Sequence, residues 1–171
     1  MRRVLVIGIC GAGKTTFSRA LARKTGLPLI HLDKEYWKPG WTGTPRPQWR
    51  ARVGELVAGD RWIIDGNYGG SLDIRLPRAD TVVWFDYPTL LCLRRIVWRK
   101  LANYGRVRDD MGEGCPERID LEFLRFVWTF REKVRPTLVA RLAEFGRHVR
   151  PVVFQRDGEV TRFIDAQTQQ A

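Results

Sequence analysis

Eight residues near the start of the chain, Gly8-Ile9-Cys10-Gly11-Ala12-Gly13-Lys14-Thr15, satisfy the pattern G-x-x-x-x-G-K-[ST] in full. Average residue usage produces such a match by chance in a chain of this length at roughly one in a hundred or less. Glycines let a backbone curl until successive N–H groups point inward, which is what a chain of phosphate oxygens requires. A helical pattern opens at Lys14, so its N-terminal dipole and unpaired donors would face the same anion. In this chemistry Gly8, Gly11, Ala12, Gly13, Lys14, Thr15 and Thr16 hold a purine nucleoside triphosphate. Lys14 bridges the β- and γ-phosphates, the Thr15 hydroxyl takes Mg²⁺, and Thr16 assists at the α-phosphate.

Three carboxylates follow directly on short apolar runs. Asp65 ends Trp62-Ile63-Ile64, the position of an acid able to hold Mg²⁺ or its water, although Asp65-Gly66 is also turn chemistry. Asp33 ends Leu29-Ile30-His31-Leu32 and could take the proton of an acceptor hydroxyl or position the acceptor; a cap or turn role is its rival. Asp86 precedes Pro88 and a helical pattern, where capping is the simpler expectation.

Phosphoryl transfer depends on positioned positive charge. Arg95 and Arg99 are four residues apart, hence on one helix face, and Arg131 and Arg135 repeat that spacing. Arg106 and Arg108 lie in the polar, Gly-rich stretch Asn103–Pro116 between the two pairs, a candidate mobile lid. Lys14, Asp33, Arg95, Arg99 and Arg131 are the expected catalytic set, with a solvated basic face as the alternative for the arginines. Trp37 and Trp41 sit in an irregular loop after Asp33, where Trp37, Asp33 and Arg46 could bind an acceptor. Trp62, Trp84, Trp98 and Trp128 fall in regular patterns and are expected in the core. His31 and His148 lack metal-ligand spacing and are expected in core or surface roles.

These residues need a scaffold that brings strand ends together. Short apolar runs at Val4–Ile9, Leu29–Leu32, Trp62–Ile64, Thr81–Phe85 and Val152–Phe154 read as buried strands. Between them, helices are expected at Lys14–Lys24, about Pro45–Ala58, Thr89–Asn103 and about Pro116–Phe145. That alternation predicts an α/β chain with a mainly parallel sheet, in which ligands bind beyond the carboxyl ends of the strands. At 171 residues one domain is expected.

Composition narrows the setting. Apolar residues make up 44% and charged residues 29%, the balance of a soluble globular chain, and no apolar run is long enough to span a membrane. Met1-Arg2-Arg3 followed by an apolar run imitates a signal peptide, but Gly11, Gly13 and Lys14 break it without a cleavage site. Cys10, Cys92 and Cys115 form no metal-ligand or CxxC spacing, which predicts free thiols and a cytoplasmic location. The net charge of +11 suits a partner rich in phosphate, whether nucleotide, polyanion or nucleic acid. No helix-turn-helix, zinc-finger or RNP-type pattern supports nucleic acid, and no N-K-x-D guanine motif occurs.

Taken together, the chain resembles the adenylate-kinase-related P-loop kinases, and within them the bacterial group labelled DNA topology modulation protein. The likeness to that group runs through GICGAGKTT, HLDKEYWKPGW, TPR at Thr44–Arg46, WIIDGNY, ADTVVWFDYP and EGCPERIDLEFL. It implies a three-layer, nucleoside-kinase-like P-loop NTPase fold with a five-stranded sheet and a central phosphate-loop strand. It also implies ATP with Mg²⁺ and a single kinase domain over 1–171, with a lid at about 103–118 and an acceptor-binding region at about 33–58. FDYP followed by RRIVWRK resembles the segment where such kinases carry phosphate-contacting arginines, which supports Arg95 and Arg99. Adenylate kinases continue their DG with Phe-Pro-Arg, whereas Asp65-Gly66 here runs into Asn67-Tyr68, and the next arginine is Arg75. Shikimate kinases carry D-x-D after the second strand, and here Asp33 has no second Asp. The expected activity is transfer of the γ-phosphoryl group of Mg-ATP to a small acceptor, nucleotides included. The other class kept open is a nucleic-acid-binding protein with a regulatory or slow ATPase site.

Overall fold

The computed structural model describes residues 1–117 and 120–167. Arg118 and Ile119, at the end of the expected lid and inside EGCPERIDLEFL, lie outside the described residues. Strand β1 (Arg3–Gly8) is the middle of a five-stranded parallel sheet. Around it stand β2 (Leu29–His31), β5 (Trp62–Asp65), β6 (Thr81–Phe85) and β7 (Arg150–Phe154), in the order β2-β5-β1-β6-β7. Parallel strands covered on both faces must be apolar throughout. Val4–Ile7, Ile63, Ile64 and Val83 meet that demand, each 0% exposed.

Helix α1 (Lys14–Thr25) follows the phosphate loop directly. It starts on Gly13 and stops on Gly26, both with positive φ, and its last turn carries Arg23 and Lys24 against the helix dipole. Next come α2 (Leu32–Tyr36), a two-stranded hairpin of β3 (Trp37–Lys38) and β4 (Thr42–Gly43), and α3 (Arg46–Leu56). The chain continues through α4 (Leu72–Arg75), α5 (Thr89–Ala102), α6 (Leu121–Trp128), α7 (Arg135–Phe145) and α8 (Asp157–Asp165).

The long helix expected over about Pro116–Phe145 is two helices. Asp120 caps α6 by accepting from the Glu122 and Phe123 amides at 2.9 and 3.2 Å, a device worth about 1 kcal/mol. A π-helical turn, Phe130–Val134, then separates it from α7. Pro136 explains the break, because it has no N–H to continue the ladder and its ring clashes with the preceding turn. Two of the four expected core tryptophans are also corrected. Trp62 and Trp84 are buried, whereas Trp98 and Trp128 are 75% and 60% exposed, on outward faces of α5 and α6. The buried positions of α5 are instead Cys92, Ile96 and Lys100.

Register decides what meets at the sheet's carboxyl edge. Asp65 pairs with Val6 on one side and His31 on the other, while Gly8 pairs with Phe85. The tips of β1, β2 and β5 therefore present the phosphate loop, His31 and Asp65 to one crevice. No helix among the described residues is long and apolar enough to cross a membrane.

Candidate active site

The loop from Gly8 to Thr16 is held in shape by close backbone contacts. A Cβ on Gly8 would stand 2.2 Å from the Phe85 carbonyl oxygen, and one on Gly11 would stand 2.6 Å from that of Cys92. Both glycines also have positive φ, 129° and 84°. Lys14 curls over the loop and donates through Nζ to the carbonyls of Gly8 and Ile9, at 3.0 Å each. Asn67 grips Gly8 from outside: its Nδ2 donates to the Gly8 carbonyl and its Oδ1 accepts from the Gly8 amide, both at 2.8 Å.

At the start of α1 the Thr15 hydroxyl donates to Asp65 Oδ2 at 2.8 Å. Asp65 is buried, and His31 Nδ1 lies 3.3 Å from the same oxygen. Asp110, brought by the lid, comes within 3.4 Å of Thr15 Oγ1. A hydroxyl beside buried carboxylate oxygen is a hard donor set of the kind Mg²⁺ takes, usually with waters and substrate phosphates completing the octahedron. Thr15 and Asp65 thus stand together as expected, while the place of His31 beside them was not anticipated.

Asp33, in the first turn of α2, accepts the Tyr68 hydroxyl at 2.6 Å. Burial pushes its carboxyl above the usual range; the Tyr68 hydrogen bond pulls it back, and the neighbouring Asp65 charge adds to the rise. Burial, together with the Asp33 charge, likewise pushes the Tyr68 phenol far up, so it remains a proton donor. Tyr68 packs with Tyr36 and Trp49, all three ring centroids lying 4.9 to 5.1 Å apart. Trp37 and Trp41 form a second aromatic pair at 5.5 Å. Arg46 stands exposed at the first position of α3. Tyr68 has φ 34°, a left-handed backbone that costs a non-glycine residue about 1–2 kcal/mol. Such strain tends to persist where surrounding structure over-determines it.

Beside the loop, away from Asp33, lies a cavity of about 490 Å³ lined by Gly11, Gly13, Phe17, Tyr87, Arg95 and Asp157 among others. Its size is that of a small-molecule site. Arg95 pairs with Asp157 at 2.6 Å and lies over the Tyr87 ring at 5.6 Å, while the Tyr87 hydroxyl donates to Asp157 at 3.1 Å. Arg95 therefore faces this cavity, and Asp157 and Tyr87 join it there, from positions that carried no motif.

Arg99 does not share those neighbours despite the shared helix face. With Lys100 and Arg108 it converges on the buried carboxylate of Glu117, at 3.4, 3.3 and 3.1 Å. Burial and the neighbouring Arg108 pull the Arg99 guanidinium down from its usual value. Arg131 and Arg135 both pair with Asp86, at 3.3 and 3.1 Å. This corrects one expectation: Asp86 does not cap α5, whose N-cap is Pro88, and its carboxylate is engaged by two cations instead. Among the described residues Arg131 pairs with Asp86 and makes no hydrogen bond or ion pair to the phosphate loop.

The stretch expected to be a mobile polar lid is seated on the hairpin. Gly40 donates to the Gly114 carbonyl at 3.0 Å and Trp41 Nε1 to that of Pro116 at 3.2 Å. A Cβ on Gly112 would fall 2.1 Å from the Trp37 carbonyl oxygen. On the other flank, Arg19 of α1 pairs with Asp109 at 2.6 Å. Asp110, Met111, Cys115 and Glu117 are buried by this seating.

No family model matches the chain. It is 25% identical over 170 residues to a shikimate kinase of Parabacteroides distasonis, covering 98% of this chain and 79% of that protein. It is 30% identical over 131 residues to a shikimate kinase of Paramagnetospirillum magneticum, covering 65% of this chain and 66% of the relative. Among solved structures, shikimate kinase from Acinetobacter baumannii in complex with shikimate superimposes with a TM-score of 0.57 at 19% identity, covering 96% and 89% of the two chains. The fold is that of P-loop kinases, and the sequence relatives indicate that the chain is a kinase. A special closeness to the DNA topology modulation group does not emerge from these similarities.

Proposed function

We propose that this protein transfers the γ-phosphoryl group of Mg-ATP to a hydroxyl of a small acceptor. The carrying observation is the meeting of two half-sites at one sheet edge. On one side stand the loop with Lys14 and the Thr15–Asp65 pair; on the other stands Asp33 under the Tyr68 hydroxyl. The loop amides and Lys14 bind the triphosphate, and the cavity between Tyr87 and α8 receives the purine. Thr15 and Asp65 would hold Mg²⁺, which when bound screens phosphate charge and orients the transferring group. Asp33 accepts the proton of the attacking hydroxyl, and its raised pKa makes it a stronger base than an exposed carboxylate. The cations gathered on Glu117 supply positive charge, with Arg99 and Arg108 the ones within electrostatic reach of Cys10 and Asp33.

Both curated relatives are shikimate kinases, which supports a small metabolite as acceptor. The aromatic walls around Asp33 and the exposed Arg46 leave the acceptor's identity to experiment, nucleotides included. The three cysteines are free, in keeping with a cytoplasmic setting.

The test is Mg²⁺-dependent ATP turnover across a panel of hydroxylated metabolites, nucleosides and nucleoside monophosphates, with detection of the phosphorylated product. Product from one acceptor class establishes the reaction. Slow hydrolysis alone, joined to DNA binding that falls steeply with salt, would replace it with the nucleic-acid reading, to which only the net charge of +11 lends weight.

A further inference from the structure

Arg75 is 0% exposed, yet no carboxylate among the described residues lies within ion-pairing distance of it. Its guanidinium is spent on backbone. Nη1 donates to the Gly66 carbonyl at 3.0 Å, and Nη2 donates to those of Asn67 and, at 2.9 Å, Tyr68. Burial pulls its pKa down to about 9, so it remains a cation at neutral pH. A buried charge held only by three successive carbonyls is a costly choice for packing alone.

Those three residues are the turn that leaves Asp65, and two of them reach opposite halves of the site. Asn67 brackets Gly8 at the root of the phosphate loop, and Tyr68 donates to Asp33. Gly66 and Tyr68 both have positive φ, so the turn occupies a backbone conformation that needs external support. Three donors in one rigid plane can provide it, because a guanidinium fixes the relative positions of the oxygens it binds.

We propose that Arg75 is a positioning residue that sets the Gly66–Tyr68 turn and so holds the donor loop and the acceptor carboxylate in register. This rests on the reading of Gly8–Thr16 as the nucleotide cradle and of Asp33 as the acceptor base. Arg75 touches neither reactant; it acts through Asn67 on one and through Tyr68 on the other. A lysine in its place keeps the charge but cannot span three carbonyls.

A double-mutant cycle tests this without any acceptor in hand. Calorimetric titration with MgATP is run on the intact chain, Arg75→Lys, Asn67→Ala and the double variant, with thermal unfolding alongside. Each single change should weaken binding by roughly 5-fold or more, and the double variant should be no weaker than the worse single, because Arg75 reaches the loop through the Asn67 side chain that the other change removes. Additive losses, or wild-type affinity with only a lowered unfolding temperature, would overturn the proposal. Arg75→Met is the more severe variant; should it fail to fold, Arg75→Lys still decides. With an acceptor identified, Arg75→Lys should also move the acid limb of the pH–rate profile, since the Tyr68 hydroxyl loses its hold on Asp33. An unmoved limb would overturn the acceptor half. Absence of any transfer by the unaltered protein would instead defeat the proposed function, and the calorimetric result would stand independently.

Discussion

The Tyr68 hydroxyl donates to Asp33 at 2.6 Å from 35 residues away, and this single contact ties the loop after β5 to the start of α2. Asp33 pays for that position with desolvation, which raises its pKa above the unfolded value. For a carboxyl shifted this way, the contribution to stability is complete below the unfolded pKa and is lost as pH rises through the folded one. Once ionised, the half-buried charge therefore opposes folding. Asp33→Asn keeps the acceptor oxygen for Tyr68 and removes the charge, so thermal unfolding at pH 7 should move up by about 2–4 °C. Phosphoryl transfer should fall roughly 10²- to 10⁴-fold. Undiminished transfer would remove Asp33 from acceptor chemistry. Tyr68→Phe deletes the bond that lowers the Asp33 pKa, so the acid limb of the rate profile should move to higher pH.

Lys14 spans the Gly8 and Ile9 carbonyls at 3.0 Å, poised above the space the loop encloses. Lys14→Ala should lower ATP turnover by roughly 10²-fold or more, as loss of a preorganised charge at the transferring group does. Circular dichroism should report an unchanged fold. Full turnover in this variant would defeat the mechanism.

Thr15→Val removes both the donor to Asp65 and one of the oxygens proposed to hold Mg²⁺. The Mg²⁺ concentration for half-maximal nucleotide binding should rise by roughly 10–100-fold. Leaving a buried carboxylate short of a donor should cost about 1–3 kcal/mol in denaturant titration. A variant with unaltered Mg²⁺ dependence would move the metal site elsewhere.

Gly112 lies where a Cβ would strike the Trp37 carbonyl oxygen, at 2.1 Å. Gly112→Ala should weaken the seating of the lid on the hairpin, raising the acceptor KM several-fold and lowering the unfolding midpoint by a few degrees, since Met111 and Cys115 lose their cover. Intrinsic fluorescence of Trp37 and Trp41 should register the change in the unliganded protein, and identical spectra would argue that the seat is dispensable.

Gly8→Ala meets both a positive φ and the Phe85 carbonyl at 2.2 Å. The backbone and overpacking penalties together should destabilise the chain by about 2–4 kcal/mol, measurable by urea titration. A stability within 0.5 kcal/mol of the unaltered protein, inside the usual scatter of neutral substitutions, would contradict the described loop.

Local patterns in the chain already determined the parts whose physics is local. A continuous apolar run such as Thr81–Phe85 is too short for a helix and reads as a strand, though only the sheet order decides how deeply it is covered, as the exposed Val153 of the edge strand β7 shows. The spacing Gly8–Thr15 carries its phosphate chemistry within eight residues. Asp65, at the tip of such a run, could be read as facing the ligand edge for the same reason. Pairings between distant segments depend on register and packing, which no short pattern encodes. Thus Asn67 and Tyr68 looked like a mere departure from Phe-Pro-Arg, although one braces Gly8 and the other binds Asp33. The i, i+4 spacing placed Arg95 and Arg99 on one face of α5, but only the approach of α8 and the lid sent one to Asp157 and the other to Glu117. Trp98 and Trp128 stand exposed because apolar size predicts burial only where another element comes to cover it, and over these two positions none does among the described residues.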